Sequence, residues 1–316
     1  MTGSDSSGGD ENVTYVSDLK NADDNVIQSF QLESSSLRGR SVRLGSVLDK
    51  ILGAHNYPDT VSVLLAETVS TSLLLASMLK YEGIFTLQIQ GDGIVSMLVC
   101  DVTSDGDIRA YALFDEDKLG DKSGFADLVG SGYMAFTVDQ GENTERYQGI
   151  VELKGSSLVD CVQHYFNQSE QIGTGIKLAS QKTDDGHWRA GAMMLQHMPE
   201  DEQNYGAGKG NTIEDNWRRA MILMGSCTDE EMLDPYLHSN VLLRRLFHEE
   251  GVRVFEPHFV RWKCRCTEQK VLNVLRVMSE EELREVERKN GIKIVCEFCS
   301  TEYRYTADEV MAHKNK

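Results

Sequence analysis

The stretch that decides the organisation of this 316-residue chain is 264-CRCTEQKVLNVLRVMSEEELREVERKNGIKIVCEFC-299, near the carboxyl end. It begins and ends with a close pair of cysteines, C-R-C at 264–266 and C-E-F-C at 296–299. Thiolates with this spacing suit a tetrahedral zinc site in which each pair supplies two ligands, and a C-x-C half is rarer and so more specific than C-x-x-C. The sequence therefore predicts one Zn²⁺ per chain. The four predicted ligands are Cys264, Cys266, Cys296 and Cys299.

Four cysteine ligands leave no open coordination position on zinc, so we expect no metal-activated water. Four thiolates and one Zn²⁺ give a formal site charge of about −2, and nearby cations could balance it. These cations are Lys263, Arg265, Lys270 and Lys293. Spacing alone leaves two interpretations open, a purely structural zinc or a zinc that also acts as a switch.

The lengths of the loops between the cysteines bear on that choice. A module of fewer than about 60 residues has a marginal core, whereas structural zinc contributes roughly 10–16 kcal/mol to folding. If an oxidant removes the metal, pairing within each doublet returns only about 1.5–2 kcal/mol per disulfide in the chain-entropy model. Pairing across the doublets closes about thirty residues and returns about 3.7 kcal/mol in the same model. The pairing therefore decides whether oxidation releases or retains structure, and loop length alone allows both pairings.

Composition indicates a globular protein of two or more domains. Hydrophobic residues make up 40% and charged residues 26% of the chain, which is long enough to bury a large core. No apolar run approaches the roughly 20 residues that span a bilayer, and residues 1–24 are too polar and acidic for a secretory signal. Seven cysteines, four of them with metal spacing, favour a reducing compartment. We therefore predict a cytoplasmic protein with no membrane partner.

The net charge of −18 is concentrated before residue 261. From Arg261 onward there are 12 basic and 10 acidic side chains, which leaves 20 basic and 40 acidic side chains in the preceding residues. A field of that sign repels nucleic acid, because binding depends on neutralising phosphates. We therefore predict no nucleic-acid partner.

Hydrophobic periodicity predicts an α+β core domain over residues 25–199, after a disordered acidic extension at 1–24. Pro58 is predicted to open a long helix that is apolar around so much of its circumference that it must be largely buried. Ser46 is predicted to cap a short helix, and residues 115–130 are predicted to be an acidic loop. Strands clustered between helices indicate α+β, not a doubly wound sheet. The predicted strands are 26–32, 38–44, 85–90, 95–102, 108–114, 133–138, 147–153, 176–178 and 188–195.

The segment 200–256 is predicted to be a flexible loop followed by a metastable helical linker. The composition breaks at 200–210, and three short helices are predicted within 212–250. Each helix is too short to persist alone, so their apolar faces need a surface to pack on. Residues 257–316 are predicted to form a small zinc-binding domain with helices and a two-stranded hairpin.

The remaining cysteines are weaker candidates for chemistry. Cys161 on an apolar helix face and Cys100 at the end of a buried strand are interpreted as core residues. Cys227 in the linker is interpreted as a passive surface cysteine, with an accessory thiol as the alternative. No Ser/His/Asp arrangement has a recognisable context, and no phosphate-binding loop is present in the sequence pattern. We therefore predict that the protein is not an enzyme.

From about residue 25 to the end, the sequence resembles the heat shock protein 33 family of redox-regulated bacterial chaperones. The most specific part of the resemblance is the C-x-C pair followed by the C-x-x-C pair at the family's spacing. Two features depart from the family's pattern, the acidic extension 1–24 and Cys227. Supporting stretches are QSFQLE at 28–33, GDG at 91–93, DQG at 139–141, ERYQG at 145–149 and LFHEE at 246–250.

The resemblance implies an ATP-independent holdase that is inactive while reduced and zinc-bound. It implies that hypochlorite, or peroxide with heat, ejects zinc and forms the local disulfides Cys264–Cys266 and Cys296–Cys299, which is also our hypothesis. The linker then unfolds, surface that binds unfolded client proteins appears, and the active form becomes a homodimer. The exposed linker face, with methionines suited to varied partners, would be adhesive. Its tentative client-binding residues are Trp217, Met221, Met224, Leu242, Leu246 and Phe247.

Two alternatives come from other functional classes. A thiol-disulfide oxidoreductase would use one C-x-x-C of low pKa beside a βαβ unit, which the pattern around these pairs does not predict. A zinc-ribbon nucleic-acid-binding protein would need a basic face, whereas the tail is nearly neutral. Turnover of insulin disulfides and salt-dependent RNA binding would discriminate between them.

Overall fold

The computed structural model describes residues 24–141, 147–197 and 213–314. Two large sheets enclose one long helix, and a small C-terminal unit with its own core follows them. The strands are β1 (Val26–Leu32), β2 (Leu37–Leu44), β3 (Ile84–Gly91), β4 (Val95–Thr103), β5 (Asp107–Phe114), β6 (Gly132–Asp139), β7 (Tyr147–Glu152), β8 (Thr174–Lys182), β9 (Trp188–His197), β10 (Val252–Val254), β11 (His258–Phe259), β12 (Arg261–Trp262), β13 (Ile292–Val295) and β14 (Glu302–Tyr305). The helices are α1 (Ser46–Gly53), α2 (Asp59–Ala76), α3 (Phe125–Val129), α4 (Leu158–Tyr165), α5 (Ile213–Gly225), α6 (Asp229–Leu233), α7 (Ser239–Phe247), α8 (Glu268–Leu275), α9 (Glu280–Asn290) and α10 (Ala307–Lys314).

The predicted α+β class is confirmed by two large sheets whose strands are almost all antiparallel, together with the helices packed on them. The first sheet has the strand order β10-β1-β2-β9-β8, with β11 also paired to β1. The second has the order β12-β5-β4-β3-β6-β7, and only its β12–β5 pair is parallel. Strands β13 and β14 form a separate antiparallel hairpin.

Helix α2 fills the space between the two sheets, as its apolar circumference predicts. It packs against strands of both sheets, so 14 of its 18 residues are buried. By length and composition it could also cross a membrane, but 78% of that span is buried inside the fold. Three of its hydroxyl groups are satisfied locally: those of Thr68, Ser70 and Ser72 donate to carbonyls four residues earlier.

The outer face of the first sheet is covered by α5, α6 and α7, which we call the linker helices. Side chains alternate along a strand, so on β9 Met194 faces the core around α2 and Met193 faces the linker helices. The ring of Phe30 on β1 stacks on Phe247 of α7, with 5.8 Å between ring centroids. This face therefore supplies the packing surface that the short helices need.

Residues 252–262 form a strap, a segment that runs from the first sheet to the second. Its strands β10 and β11 extend the first sheet beside β1, and β12 pairs with β5 in the second. Between them, buried Val260 donates its N–H to the carbonyl of Asn25 at 2.8 Å. Local sequence patterns do not predict these three strands.

Residues 263–314 form what we call the cysteine unit, which contains the predicted hairpin and helices. Its core is small and separate from those of the two large sheets. A capping box at Ser279 begins α9, as the sequence predicts. The buried residues of this core are Leu272, Leu275, Leu283, Ile292, Ala307 and Val310.

Three local predictions differ from the structure. Ser46 is the first residue of α1 and makes no cap: the Asn25 side chain instead accepts the N–H groups of Gly45 and Val47, each at 3.1 Å. The predicted loop 115–130 contains α3 and a 3₁₀ turn. Cys227 is buried at 1% exposure, so its interpretation as a surface cysteine is wrong.

The predicted acidic extension and flexible loop lie almost entirely outside the described residues. The exception is Asp24, which the sequence assigns to the disordered extension. Its carboxylate accepts two hydrogen bonds from the Arg189 guanidinium at 2.7 and 2.8 Å and lies 3.5 Å from Arg43. This residue is therefore an ordered part of the first sheet's surroundings.

Candidate metal centre

Two structural elements bring the cysteine pairs together. Strand β12, paired with β5, leads into Cys264. Cys266 stands just before Thr267, whose hydroxyl caps α8 by accepting the N–H of Lys270 at 3.3 Å. The second pair lies in the turn of the β13–β14 hairpin. One pair is thus held by the second sheet and the other by the hairpin.

Two backbone hydrogen bonds close the turn of the hairpin. The N–H of Cys296 donates to the Thr301 carbonyl at 2.9 Å, and the N–H of Ser300 donates back to the Cys296 carbonyl at 2.8 Å. Ser300 has φ of 54°, in the left-handed region, which reverses the chain within few residues. The turn therefore fixes the backbone between the third and fourth cysteines.

The four sulfur atoms form a compact cluster in which all lie within 4.8 Å of one another. The Sγ atoms of Cys264 and Cys296 are 3.7 Å apart, and those of Cys266 and Cys299 are 3.4 Å apart. Zinc–sulfur bonds of about 2.3 Å in a tetrahedron place sulfurs about 3.8 Å apart. The cluster therefore fits a metal ion bound by four thiolates, and the predicted ligands are brought together.

Hydrogen bonds from outside the cluster reach two of the sulfurs. The Tyr303 hydroxyl donates to Cys266 Sγ at 3.3 Å, and the Thr301 hydroxyl lies 3.2 Å from Cys299 Sγ. Burial raises the pKa of Cys296 to about 12. Burial acts in the same direction on Cys299, but the hydrogen bonds from Thr301 and the neighbouring sulfurs outweigh it and lower that pKa to about 7. Cys299 therefore ionises more readily than Cys296 in this geometry.

Four cations are predicted from the sequence to balance the site charge, and each of them has another partner in the structure. Lys263 pairs with Asp107 at 2.8 Å, and Arg265 pairs with Asp101 at 2.6 Å. Lys293 forms an ion pair with Glu302, and Lys270 donates to the carbonyl of Arg265. These four side chains therefore also tie the cysteine unit to the second sheet and to itself.

Residues of the second sheet surround the cluster, and the sequence pattern does not predict them. The Arg109 guanidinium lies 3.7 Å from the centroid of the Phe298 ring, and Tyr111 meets that ring edge-on at 4.7 Å. Asp101 is nearly buried in β4 and accepts from both Arg109 and Arg265. An aspartate within an otherwise apolar strand was the available signal, because such a residue is almost never buried without a partner.

The tentative client-binding residues form a second, separate group on the first sheet. Met224, Leu242, Leu246 and Phe247 are at most 3% exposed. Trp217 and Met221 are half-buried against the same cluster. In this state of the protein the linker helices therefore hold these six side chains against the sheet.

Cysteines outside the cluster lie in hydrophobic surroundings. Cys100 and Cys161 are fully buried in the core around α2, as predicted. Burial raises the pKa of Cys227, which packs between the linker helices and the first sheet. Within the described ranges, the four clustered cysteines form the only group of His, Cys, Asp or Glu residues that could hold a metal.

Comparison with known proteins places this architecture in one family. The sequence model of the Hsp33 protein family matches residues 25–306. A 33 kDa chaperonin from Caulobacter vibrioides is 36% identical over 291 residues, which cover 89% of this chain and 94% of the relative. A 33 kDa chaperonin from Pseudomonas fluorescens is 34% identical over 297 residues, covering 93% and 94%.

A solved structure shows the same fold. The 33 kDa chaperonin of Thermotoga maritima, described as a heat shock protein 33 homolog, superposes with a TM-score of 0.75 at 22% sequence identity. The alignment covers 92% of this chain and 98% of the other. The family match over most of the sequence, together with the cysteine cluster, shows that this chain belongs to the Hsp33 family.

Proposed function

We propose that this protein is an ATP-independent holdase chaperone, controlled by oxidation of its four clustered cysteines. The observation that carries the proposal is the pairing of a four-sulfur cluster with an apolar sheet face covered by short helices. The names of the relatives, 33 kDa chaperonins, support the chaperone activity. A cytoplasmic location follows from the need to keep the four thiols reduced at rest.

Zinc is the metal that the ligand set favours. Four thiolates in a compact tetrahedron are typical of structural zinc sites. When bound, zinc crosslinks the two pairs and contributes roughly 10–16 kcal/mol to folding. The separate core of the cysteine unit has only six buried residues, so the unit depends on this crosslink. Zinc binding to the reduced form therefore keeps the cysteine unit folded and the chaperone inactive.

Oxidation converts the ligands into disulfides that cannot bind zinc. For each disulfide, two thiolates give up two electrons, and hypochlorous acid accepts them and leaves, with one proton, as chloride and water. All four sulfurs are within 4.8 Å, so local and crossed pairings are both within reach. We propose the local pairs Cys264–Cys266 and Cys296–Cys299, whose short loops return only about 1.5–2 kcal/mol each. The cysteine unit then loses its fold.

Release of the linker helices exposes the client-binding surface. Helices of 13, 5 and 9 residues are too short to persist without the sheet beneath them. Their detachment uncovers Phe30, Leu32, Leu37 and Met193 on the sheet, together with the six tentative client-binding residues. A contiguous apolar patch of this kind binds unfolded chains and favours a homodimer. Clients, and not nucleic acid or membranes, are the proposed partners.

One experiment tests the proposal as a whole. After hypochlorite is added to the reduced, zinc-loaded protein, zinc release and suppression of a client's aggregation are followed together. We expect one zinc per chain to be released and the activity to appear with it. Zinc release without activity would reduce the cluster to a structural crosslink. Peptide mapping of the oxidised protein adds a second check, because crossed disulfides would contradict the proposed local pairing.

A further inference from the structure

Two residues between the cysteines, together with the Lys263–Asp107 ion pair, hold the cysteine unit on the second sheet. Arg265 lies between the first two ligands, and its guanidinium donates to Asp101 of β4 at 2.6 Å. Phe298 lies between the last two ligands, and its half-buried ring fits between Arg109 and Tyr111 of β5. Each ligand pair therefore presents one side chain to the same outer sheet face.

The receiving surface is built for these two side chains. Asp101 is 5% exposed and is also held by the Thr86 hydroxyl at 2.6 Å and by Arg109 at 2.8 Å. Arg109 therefore joins the two contacts, because it pairs with Asp101 and also lies over the Phe298 ring. A cation over an aromatic face and a shielded ion pair are both directional contacts. They are lost when the backbone that carries Arg265 and Phe298 changes direction.

We propose that Arg265 and Phe298 form a docking latch through which metal binding by the cysteines holds the cysteine unit, and with it β12 of the strap, on the second sheet. This inference rests on the metal binding assigned above and specifies how the cysteines control the rest of the chain. Metal ligation fixes the backbone on both sides of each latch residue. Without it, the two side chains no longer meet their partners together, and the unit leaves the sheet.

The strap is the covalent route from the latch to the linker helices. Two backbone hydrogen bonds hold β12 on the second sheet. The N–H of Arg261 donates to the Gly106 carbonyl at 2.9 Å, and the N–H of Lys263 donates to the Ile108 carbonyl at 3.0 Å. Undocking of the cysteine unit removes the anchor at the carboxyl end of this two-residue strand. The strap then opens from β12 towards β11 and β10, whose far end joins α7 through a single turn.

The test weakens the latch from the sheet side and leaves the four cysteines and the two latch residues unchanged. The variant combines Asp101→Asn with Tyr111→Ala, and the matched control is Tyr133→Ala, an exposed tyrosine of the same sheet. In the reduced, zinc-loaded protein, hydrogen exchange of the Arg261 and Lys263 amides reports the docking of β12. We expect exchange at least tenfold faster in the variant, with the Cys296 amide unchanged. Zinc stripping of the wild-type protein under reducing conditions should accelerate exchange at the same two amides.

Metal affinity supplies a second, independent readout. Coupling between two sites is reciprocal, so a latch that needs the metal must also strengthen metal binding, by a factor on the order of ten. Competition with a chelator should therefore show that the variant binds zinc more weakly. Its zinc affinity should fall by the same factor by which exchange at β12 rises, and the zinc affinity of Tyr133→Ala should not change. Unchanged exchange at β12, or faster exchange with unaltered zinc affinity, would overturn the proposal.

Two checks keep these outcomes distinct from other failures. Hydrogen exchange of the α2 amides between Leu64 and Leu75 reports the stability of the whole fold. If these amides also exchange faster in the double variant, the single variant Tyr111→Ala is measured in its place, with the same readouts. No readout involves chaperone activity. An oxidised protein that fails to suppress aggregation would therefore refute the proposed function while leaving the latch intact, and a failed latch would leave the proposed function standing.

Discussion

Replacing Leu246 by aspartate tests the proposal that the linker helices keep the reduced protein inactive. Leu246 lies in α7 at 3% exposure, within the cluster formed by the linker helices and the first sheet. Ile222, on α5, is 64% exposed and points away from that cluster. The Ile222→Asp variant is therefore a matched control that introduces the same charge into a linker helix without entering the interface.

The expected size of the effect follows from burial. Loss of one buried leucine side chain costs about 1.5–3 kcal/mol, and an unpaired carboxylate in an apolar site costs several kcal/mol more. In the detached linker the carboxylate is in water and pays no such cost. The Leu246→Asp substitution should therefore shift the docking equilibrium by at least about 4 kcal/mol, which is a factor of about 10³ towards the detached form.

The assay is suppression of a client's aggregation, measured by light scattering in reducing buffer with zinc content determined in parallel. We expect the Leu246→Asp variant to be active while reduced and zinc-loaded, and Ile222→Asp to stay inactive until oxidised. Adding Trp217→Asp to Leu246→Asp should strengthen the effect. If protease digestion shows detached linker helices in a reduced variant that is still inactive, the covered surface does not bind clients and the reasoning is refuted.

Three further predictions concern positions away from the cysteines. Burial raises the pKa of Glu67 to about 7 from its usual 4.5, so the unfolded chain loses this proton first and stability falls as pH rises between those values. Glu67→Gln should therefore stabilise the protein by about 3 kcal/mol more at pH 8 than at pH 4 in urea denaturation, and an equal effect at both pH values would contradict this. A Cβ on Gly39 would lie 2.1 Å from the Phe30 ring, so Gly39→Ala should lower the free energy of unfolding by about 1–3 kcal/mol. The control Gly53→Ala, whose added Cβ meets nothing within 4 Å, should not lower it. Equal thermal midpoints for Gly39→Ala and the wild-type protein would refute the prediction for Gly39. Buried Cys227 is outside the cluster, so Cys227→Ala should leave the rate of hypochlorite-induced zinc release unchanged, and slower release would show that this thiol takes part.

Local patterns predicted the regular elements because their signals lie within each segment. The circumference of α2 and the capping box at Ser279 depend on neighbours a few residues away. The cap of α1 could not be predicted in this way, because Asn25 supplies it from twenty residues earlier. The strap was missed for the same reason: its short strands exist through pairing with β1 and β5, which are more than 140 residues away in sequence.

The same distinction between local and long-range signals applies to the residues of the candidate site. Spacing was enough to nominate the four cysteines, because a metal cluster needs only the right ligands at suitable separations. The partners of the cysteine unit could not be nominated, since Asp101 and Arg109 belong to strands that precede it by about 160 residues. Cys227 was misplaced because its polar neighbours indicate a surface, whereas the packing of α5 and α6 on the sheet buries it.

The arrangement of the two outer sheet faces explains how a chemical change at the cysteines could act on the linker helices at a distance. The linker helices cover the first sheet, the cysteine unit lies on the second, and the core around α2 separates the two sheets. Such a core is close-packed, so a route through it would require buried side chains to repack. The strap, however, is paired with both sheets and joins the two regions covalently. A signal from the cysteines therefore needs no rearrangement of the core, because it can travel by the successive loss of three short strands.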